Sequence, residues 1–169
     1  MNADLFPEAR RLPTEAEIDD RYTTRATLAW CMAKAGVDAF DLDVAASAEA
    51  HHAPLWYSKR DNGLLQPWRG RVWCNPPFSD LAPWVLRARE AIGSGAGNNA
   101  VLVAQLLPGN RTEQRWWQEV VEPSRDRRGS GLTTHFLPGR TRFGHPGNPE
   151  GLNVGSPPFG CVLLVWRRP

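Results

Sequence analysis

Ala100-Val101-Leu102-Val103-Ala104-Gln105-Leu106-Leu107, closed by Pro108-Gly109, is the stretch that decides the fold. Its near-continuous apolar character is that of a central parallel strand covered on both faces, because a strand with one wet face would alternate. Upstream, the glycine-rich turn Gly93 to Gly97 ends a helix whose Leu81, Trp84, Val85, Ala88 and Ile92 recur at helical spacing. Ser79 is the expected N-cap, Asp80 suits the positive helix end, and Pro83 is tolerable in a first turn. Before that helix, Arg71 to Cys74 reads as a strand. Earlier still, Thr24 caps a helix with Leu28, Cys31, Met32 and Ala35 on one face, and Gly36 ends it. Phe40, Leu42 and Val44 then alternate with acids in a strand ending near Asp43, and Glu49 to Gly70 is mostly turn chemistry. Downstream of the apolar run a helix is expected from Thr112 to Val121, then a basic loop from Arg125 to Ser130. Strands follow at Thr133 to Leu137 and Thr141 to Phe143, then a loop from His145 to Pro158 and a last strand from Cys161 to Trp166. Strands alternating with helices and ending in strands predict a compact three-layer α/β domain, its sheet mostly parallel with an antiparallel C-terminal edge. Residues 1–20 are expected to form an N-terminal arm, and 21–169 a single domain.

Ligands of such sheets bind at the carboxyl ends of the strands, and two motifs fall there. Asp43 is followed by Ala45, Ala46 and Ser47, side chains too small to obstruct a cofactor approaching the backbone; a half-exposed strand with solvated acids is the competing reading. The other motif is Asn75-Pro76-Pro77-Phe78, set between the strand Val72-Trp73-Cys74 and a helix start. An exocyclic amino group on a base is a poor nucleophile because its lone pair is delocalised into the ring. A carboxamide oxygen and a backbone carbonyl can accept its two N–H bonds and free that lone pair. Pro76 lacks an N–H and has a fixed φ, which helps to hold the carbonyl, and Phe78 offers a face on which an extruded base can stack. A Pro-Pro turn that merely ends a strand is the alternative. Ser156-Pro157-Pro158-Phe159 looks similar but precedes a strand, so it is expected to open at the opposite sheet edge.

The chain has 169 residues, enough for one domain with a sizeable core. No apolar run is long enough to span a membrane, Met1 to Arg11 lacks a signal-peptide core, and Cys31, Cys74 and Cys161 lie far apart in apolar surroundings. These features are those of a cytoplasmic protein with reduced cysteines and no metal site. His51-His52 reads as a surface loop. Net charge is +2, but residues 1–66 hold 11 acids and 7 bases whereas residues 67–169 hold 7 acids and 13 bases. Of the 20 bases, 18 are Arg, the residue suited to bidentate phosphate contact, and the asymmetry is compatible with nucleic-acid binding by the second half.

Several stretches together resemble the phage-type DNA N6-adenine methyltransferases, a small Dam-like family common in phages and prophages. They are Tyr22-Thr23-Thr24, Phe40 to Ala46, Asp61-Asn62-Gly63-Leu64 with Trp68, Val72 to Ser79 with Trp84, Leu106-Leu107-Pro108, and Gly139-Arg140-Thr141-Arg142-Phe143. The resemblance implies a Rossmann-like class I fold dependent on S-adenosyl-L-methionine, acting on a base flipped out of double-stranded DNA. Carried over, Asn75, Pro76, Pro77 and Phe78 would be the catalytic motif. Tyr22, Thr23, Asp43, Ala45, Asn75 and Asp61 would serve the cofactor, and Arg140 and Arg142 would contact nucleic acid. Thr24 stands where a proline would be expected, and Phe78 where tyrosine is commoner. The same tetrapeptide also serves cytosine N4 methylation and, in other families, a protein glutamine amide. A non-catalytic DNA-binding protein on a degenerate methyltransferase fold is the remaining alternative.

Overall fold

The expected central strand becomes β5 (Asn98–Pro108) in the structure, a computed structural model that describes residues 19–93, 98–151 and 159–169. Of the expected N-terminal arm, only Asp19 and Asp20 lie within the described residues. Around β5 are built β1 (Tyr22–Thr23), α1 (Arg25–Ala35), β2 (Leu42–Ala46), β3 (Leu55–Ser58), β4 (Trp68–Cys74), α2 (Ala82–Ala91), β6 (Leu132–Phe136), β7 (Phe143–Gly144) and β8 (Cys161–Arg167). Six strands form one sheet in the order β3-β2-β4-β5-β8-β6, and β1 pairs with β7 in a separate ribbon. The pairs β3–β2, β2–β4 and β4–β5 are parallel, and β8 runs against both β5 and β6. The mostly parallel α/β sheet with an antiparallel C-terminal edge is therefore as expected.

Strand order reverses between β2 and β4, since the chain passes outward from β2 to β3 on one side and from β4 to β5 on the other. A crevice opens at such a switch point, outside the strand carboxyl ends. Register sets Asp43 beside Trp73 there, one residue before Cys74 and two before Asn75. At the amino ends, Arg71 closes β4 onto the β2 approach by bonding both carboxylate oxygens of Asp41, at 3.0 and 2.9 Å, and Asp38 at 2.7 Å. Those bonds hold the Asp41 carboxyl down at about 2.

Several local expectations are corrected. β2 runs to Ala46 rather than stopping near Asp43, and Leu42, Asp43 and Val44 are all buried, so it is not a half-exposed strand. The four-residue strand β3 hides in the turn-rich segment after Pro54; a short edge strand has too few residues to show a period. Ser79 does not cap α2, which begins at Ala82 behind Leu81 with no side-chain cap; Ser79 instead donates its N–H and hydroxyl to the Asp19 carboxylate. The helix expected from Thr112 to Val121 opens as a turn and becomes a π-helical segment, Trp117–Val121. Gln118 Nε2 donates to the Thr112 carbonyl at 2.7 Å, and adjacent Trp116 and Trp117 are both buried, which a wider turn accommodates. Thr24 and Gly36 do cap α1, the hydroxyl accepting from Thr27 N and the glycine standing left-handed at φ 62°. The glycine-rich turn after α2 lies outside the described residues beyond Gly93.

A glutamine is enclosed in the core. Gln105, fully buried on β5, donates from Nε2 to the Trp84 carbonyl at 2.9 Å and accepts from Trp166 Nε1 at 3.1 Å. It thereby ties α2 and β8 to the strand beside Cys74, with which it is in register. Gln105→Leu orphans the Trp166 indole and is expected to lower unfolding stability by about 2 kcal/mol, or roughly 6 °C in Tm. A thermal melt that does not move would show that this bridge adds nothing.

Candidate active site

The Asn75-Pro76-Pro77-Phe78 loop leaves β4 directly into the switch-point crevice. Asn75 donates from Nδ2 to the Arg21 carbonyl at 2.6 Å. Only the NH2 side of a carboxamide can make that bond, so the amide orientation is settled by its partner. Its Oδ1 is left buried and without a hydrogen bond. A buried acceptor without a partner costs free energy unless a ligand supplies one.

Two more buried polar atoms without partners, Trp73 Nε1 and Thr23 Oγ1, belong to residues lining the same cavity of about 350 Å³. That volume is within the range of small-molecule sites. Around it stand the small side chains Ala45, Ala46 and Ala50 and the backbone at Gly63. Small walls, one orphan acceptor, one orphan donor and one orphan hydroxyl fit a cofactor with an apolar ring system and hydrogen-bonding groups. Among the described residues no cluster of His, Cys, Asp or Glu could hold a metal ion.

Asp43 shapes the loop beyond β2. Its Oδ1 accepts from Ala45 N at 3.3 Å and its Oδ2 from His52 N at 3.0 Å. Burial penalises its charge and pushes the carboxyl up to about 7, although those two N–H bonds pull the other way. Both folded and unfolded carboxyls are neutral below 3.8, the ordinary value of an aspartate. Between there and about 7 the folded chain keeps a proton that the unfolded chain has released, so stability falls as pH rises through this window. The shift corresponds to about 4 kcal/mol. His52 works oppositely: burial lowers its pKa, so its contribution to stability grows as pH rises toward 6.5. Asp43→Asn removes the first slope alone. Its urea unfolding free energy should gain on the unsubstituted protein by about 4 kcal/mol between pH 4 and pH 8. A constant difference across that range would mean that Asp43 titrates as it does in water.

The structure brings Tyr22, Thr23, Asp43, Ala45, Asn75 and Pro77 to one cavity. Asp61 is not among the lining residues; its carboxylate is engaged by Ser58 N and Oγ at 2.8 and 2.6 Å in an exposed turn. Pro76 is buried behind the loop. Phe78 stands beside the cavity, with Phe143 edge-on at 5.6 Å and Phe159 at 6.1 Å. Arg140 and Arg142 are exposed on the segment leading to Phe143. Phe159 also corrects an expectation: β8 runs antiparallel, so its start lies at the same edge as Asn75, not the opposite one. Ser156 to Pro158 lie outside the described residues.

Sequence reasoning missed His52, Trp73 and the segment from Asp19 to Arg21 as parts of the site. His51 is the exposed surface residue expected, stacked on Trp56 at 5.1 Å, but its neighbour His52 lines the cavity. Asp19 fastens Ser79 through both its N–H and its hydroxyl, at 3.0 and 2.7 Å, and β1 pairs with β7 just beyond. The chain before α1 thus crosses the Asn75 loop as a strap. Nothing in the local pattern of residues 19–23 signals this, since each bond reaches more than fifty positions along the chain.

A family model described as DNA N-6-adenine-methyltransferase (Dam) matches residues 12–143. No curated protein and no solved structure matches the chain.

Proposed function

The chain belongs to the Dam family of DNA N-6-adenine-methyltransferases, and from that premise we propose that it moves the methyl group of S-adenosyl-L-methionine to adenine N6 in double-stranded DNA. The observation that carries this reading is the Asn75 carboxamide of the cavity wall, whose Nδ2 is taken by the Arg21 carbonyl and whose buried Oδ1 is left without a partner.

Bound S-adenosyl-L-methionine supplies an electrophilic methyl group on a positively charged sulfur that leaves as a neutral thioether. Tyr22, Thr23, Asp43 and Ala45 are the residues that would hold it, with Trp73 Nε1 and Thr23 Oγ1 free to bond it. The reversal of strand order between β2 and β4 supports the reading of the sheet as a class I methyltransferase fold. Asn75 Oδ1 accepts one N–H of the adenine amino group, and the backbone carbonyl held by Pro76 accepts the other. Both bonds strengthen as the nitrogen loses conjugation and turns tetrahedral, so they favour the transition state over the ground state. Cys74, next to the motif, is fully buried and burial pushes its thiol pKa up, which supports direct transfer without a covalent enzyme intermediate.

A base reaches this depth only outside the duplex, and Phe78, packed edge-on with Phe143 beside the cavity, is the ring nearest to where it would stack. Arg140 and Arg142 are exposed on the approach to Phe143 and suit phosphate contact. The test is transfer of labelled methyl groups from S-adenosyl-L-methionine to DNA by the purified protein, followed by hydrolysis to nucleosides. N6-methyladenine is the expected product. N4-methylcytosine would overturn the choice of base, and absence of label in DNA would overturn the enzyme reading.

A further inference from the structure

Of the Phe, Tyr and Trp rings among the described residues, Phe136 alone is exposed, at 51%. It is the last residue of β6, and by alternation it shares a face with Leu132 at the start of the strand, which is buried. That face is covered where β6 begins and bare where it ends. The bare end is the edge that carries the active site, because β6 and β5 both run against β8, and β5 is parallel to β4. Val162 pairs with Leu107 of β5 and with Phe136 of β6, while Gln105 pairs with Cys74 of β4. Phe136 therefore stands level with the residues that follow Cys74, three strand spacings away, or about 14 Å.

The ring is carried on backbone that is fastened at both sides. Leu137 N–H donates to the Cys161 carbonyl and Gly109 N–H to the Gly160 carbonyl, both at 2.9 Å. The ends of β6 and β5 are thus both tied to the start of β8. Phe136 Cδ1 lies over Gly109, 3.6 Å from where a Cβ would stand, so the ring rests one flank on backbone and turns the other to solvent. Arg140 and Arg142, both exposed, follow it in the chain, and no Asp or Glu occurs from Thr133 to Pro149. A lone exposed apolar side chain needs no explanation. A ring fixed at the active-site edge, followed by two exposed cations and no acid, suits a polyanion with an apolar interior. Duplex DNA has that chemistry: its phosphates take guanidinium groups and its base stack takes a ring.

We propose that Phe136 is a wedge for duplex DNA: its ring enters the base stack where the target adenine has been drawn out, while Arg140 and Arg142 hold neighbouring phosphates. This rests on the methyltransferase reading above. Extruding a base forfeits its stacking and leaves its former partner unsupported. A ring in the gap restores a stacking contact and obstructs the return of the adenine. The separation suits this division of labour. About 14 Å is comparable with the ~12 Å width of the major groove, so one protein edge reaches both the extruded base and the gap it left. The ring makes and breaks no bond. It shifts the balance between stacked and extruded base, and so acts on transfer to duplex DNA rather than on the cofactor.

The experiment uses the full chain, a nicked plasmid of mixed sequence and DNA ligase. The plasmid is closed under saturating protein and S-adenosyl-L-homocysteine, the demethylated cofactor, and its linking number is read once the protein is removed. A side chain inserted between base steps unstacks and untwists them. The unsubstituted protein is expected to give circles of lowered linking number, and Phe136→Ala to give circles like those closed without protein. Phe136→Trp keeps a ring and should behave as the unsubstituted protein does. Single-turnover transfer of labelled methyl groups to the same plasmid should fall by about five- to a hundredfold in Phe136→Ala, the span of one lost base–aromatic stack, and recover in Phe136→Trp. Cofactor binding and the thermal melt should stay as they were, which a merely structural ring would not allow. A linking number that Phe136→Ala leaves lowered overturns the wedge, as does an undiminished rate of transfer. Transfer by the unsubstituted protein with no change in linking number sinks the wedge without any variant and leaves the function standing. A linking change that Phe136→Ala abolishes, in a protein that transfers no label, sustains the wedge and sinks the function.

Discussion

Asn75→Ala is expected to lower the rate of methyl transfer by on the order of 10²–10³-fold, the loss seen when one preorganised group is removed from a developing charge. Cofactor affinity should change little, because Tyr22, Thr23, Asp43 and Ala45 also line the cavity and remain in place. The variant loses the acceptor Oδ1, and it also frees the Arg21 carbonyl that Nδ2 now satisfies. Asn75→Asp separates the two roles: it keeps an acceptor but offers Arg21 no donor. A carboxylate 2.6 Å from a carbonyl oxygen is repelled, so the strap should loosen as well. Single-turnover transfer and equilibrium cofactor binding, measured on the same preparations, read the effects apart. An Asn75→Ala enzyme working at an undiminished rate would remove the carboxamide from the mechanism.

Gly63→Ala is the second large effect. The glycine begins a 3-10 turn packed against the end of β2, and a Cβ there would run into the Val44 carbonyl oxygen. Neither side can give way cheaply. Val44 is backbone within the sheet, and the Gly63 carbonyl is held by Trp68 Nε1 at 2.8 Å in the buried interior. Overpacking against backbone should cost about 3 kcal/mol, and loss of the Trp68 bond would add to it. Because Val44 and Gly63 both line the cavity, cofactor affinity should fall by about tenfold for each 1.4 kcal/mol of displaced contact. Leu65→Ala, two residues on at a side chain that is 80% exposed, is the control and should stay within about 0.5 kcal/mol. A Gly63→Ala protein with normal stability and cofactor binding would show that the close approach to Val44 is not needed.

Asn75 and Arg21 touch through the strap, so substitutions at the two positions are expected to be non-additive. Gln105 lies deeper, bonded to Trp84 and Trp166, and should add to Gly63 with only a modest interaction.

Much of this protein was legible along the chain because its signals are local. The apolar run from Ala100 to Leu107, the Thr24 and Gly36 caps and the Asn-Pro-Pro-Phe loop each depend on residues within a few positions of one another. β3 escaped because four residues at a sheet edge carry no period, and the π-helical turn because paired tryptophans overrode the helical spacing. His52 reads as a surface residue until the Asp43 carboxylate draws its N–H inward.

The sequence by itself determined the mostly parallel sheet with its antiparallel C-terminal edge, the Dam-like family and the loop that carries Asn75. Periodicity, capping and short motifs are properties of neighbouring residues, and these suffice for such inferences. Only the tertiary structure decided which oxygen of the site is left unsatisfied, what orients Asn75, and which rings gather around Arg21. Each depends on contacts between distant positions: Arg21 with Asn75, Asp19 with Ser79, and Arg21 with the rings of Phe78, Phe143 and Phe159. Such contacts leave no periodic trace, because closing a long loop is set by the whole fold rather than by the residues at its ends.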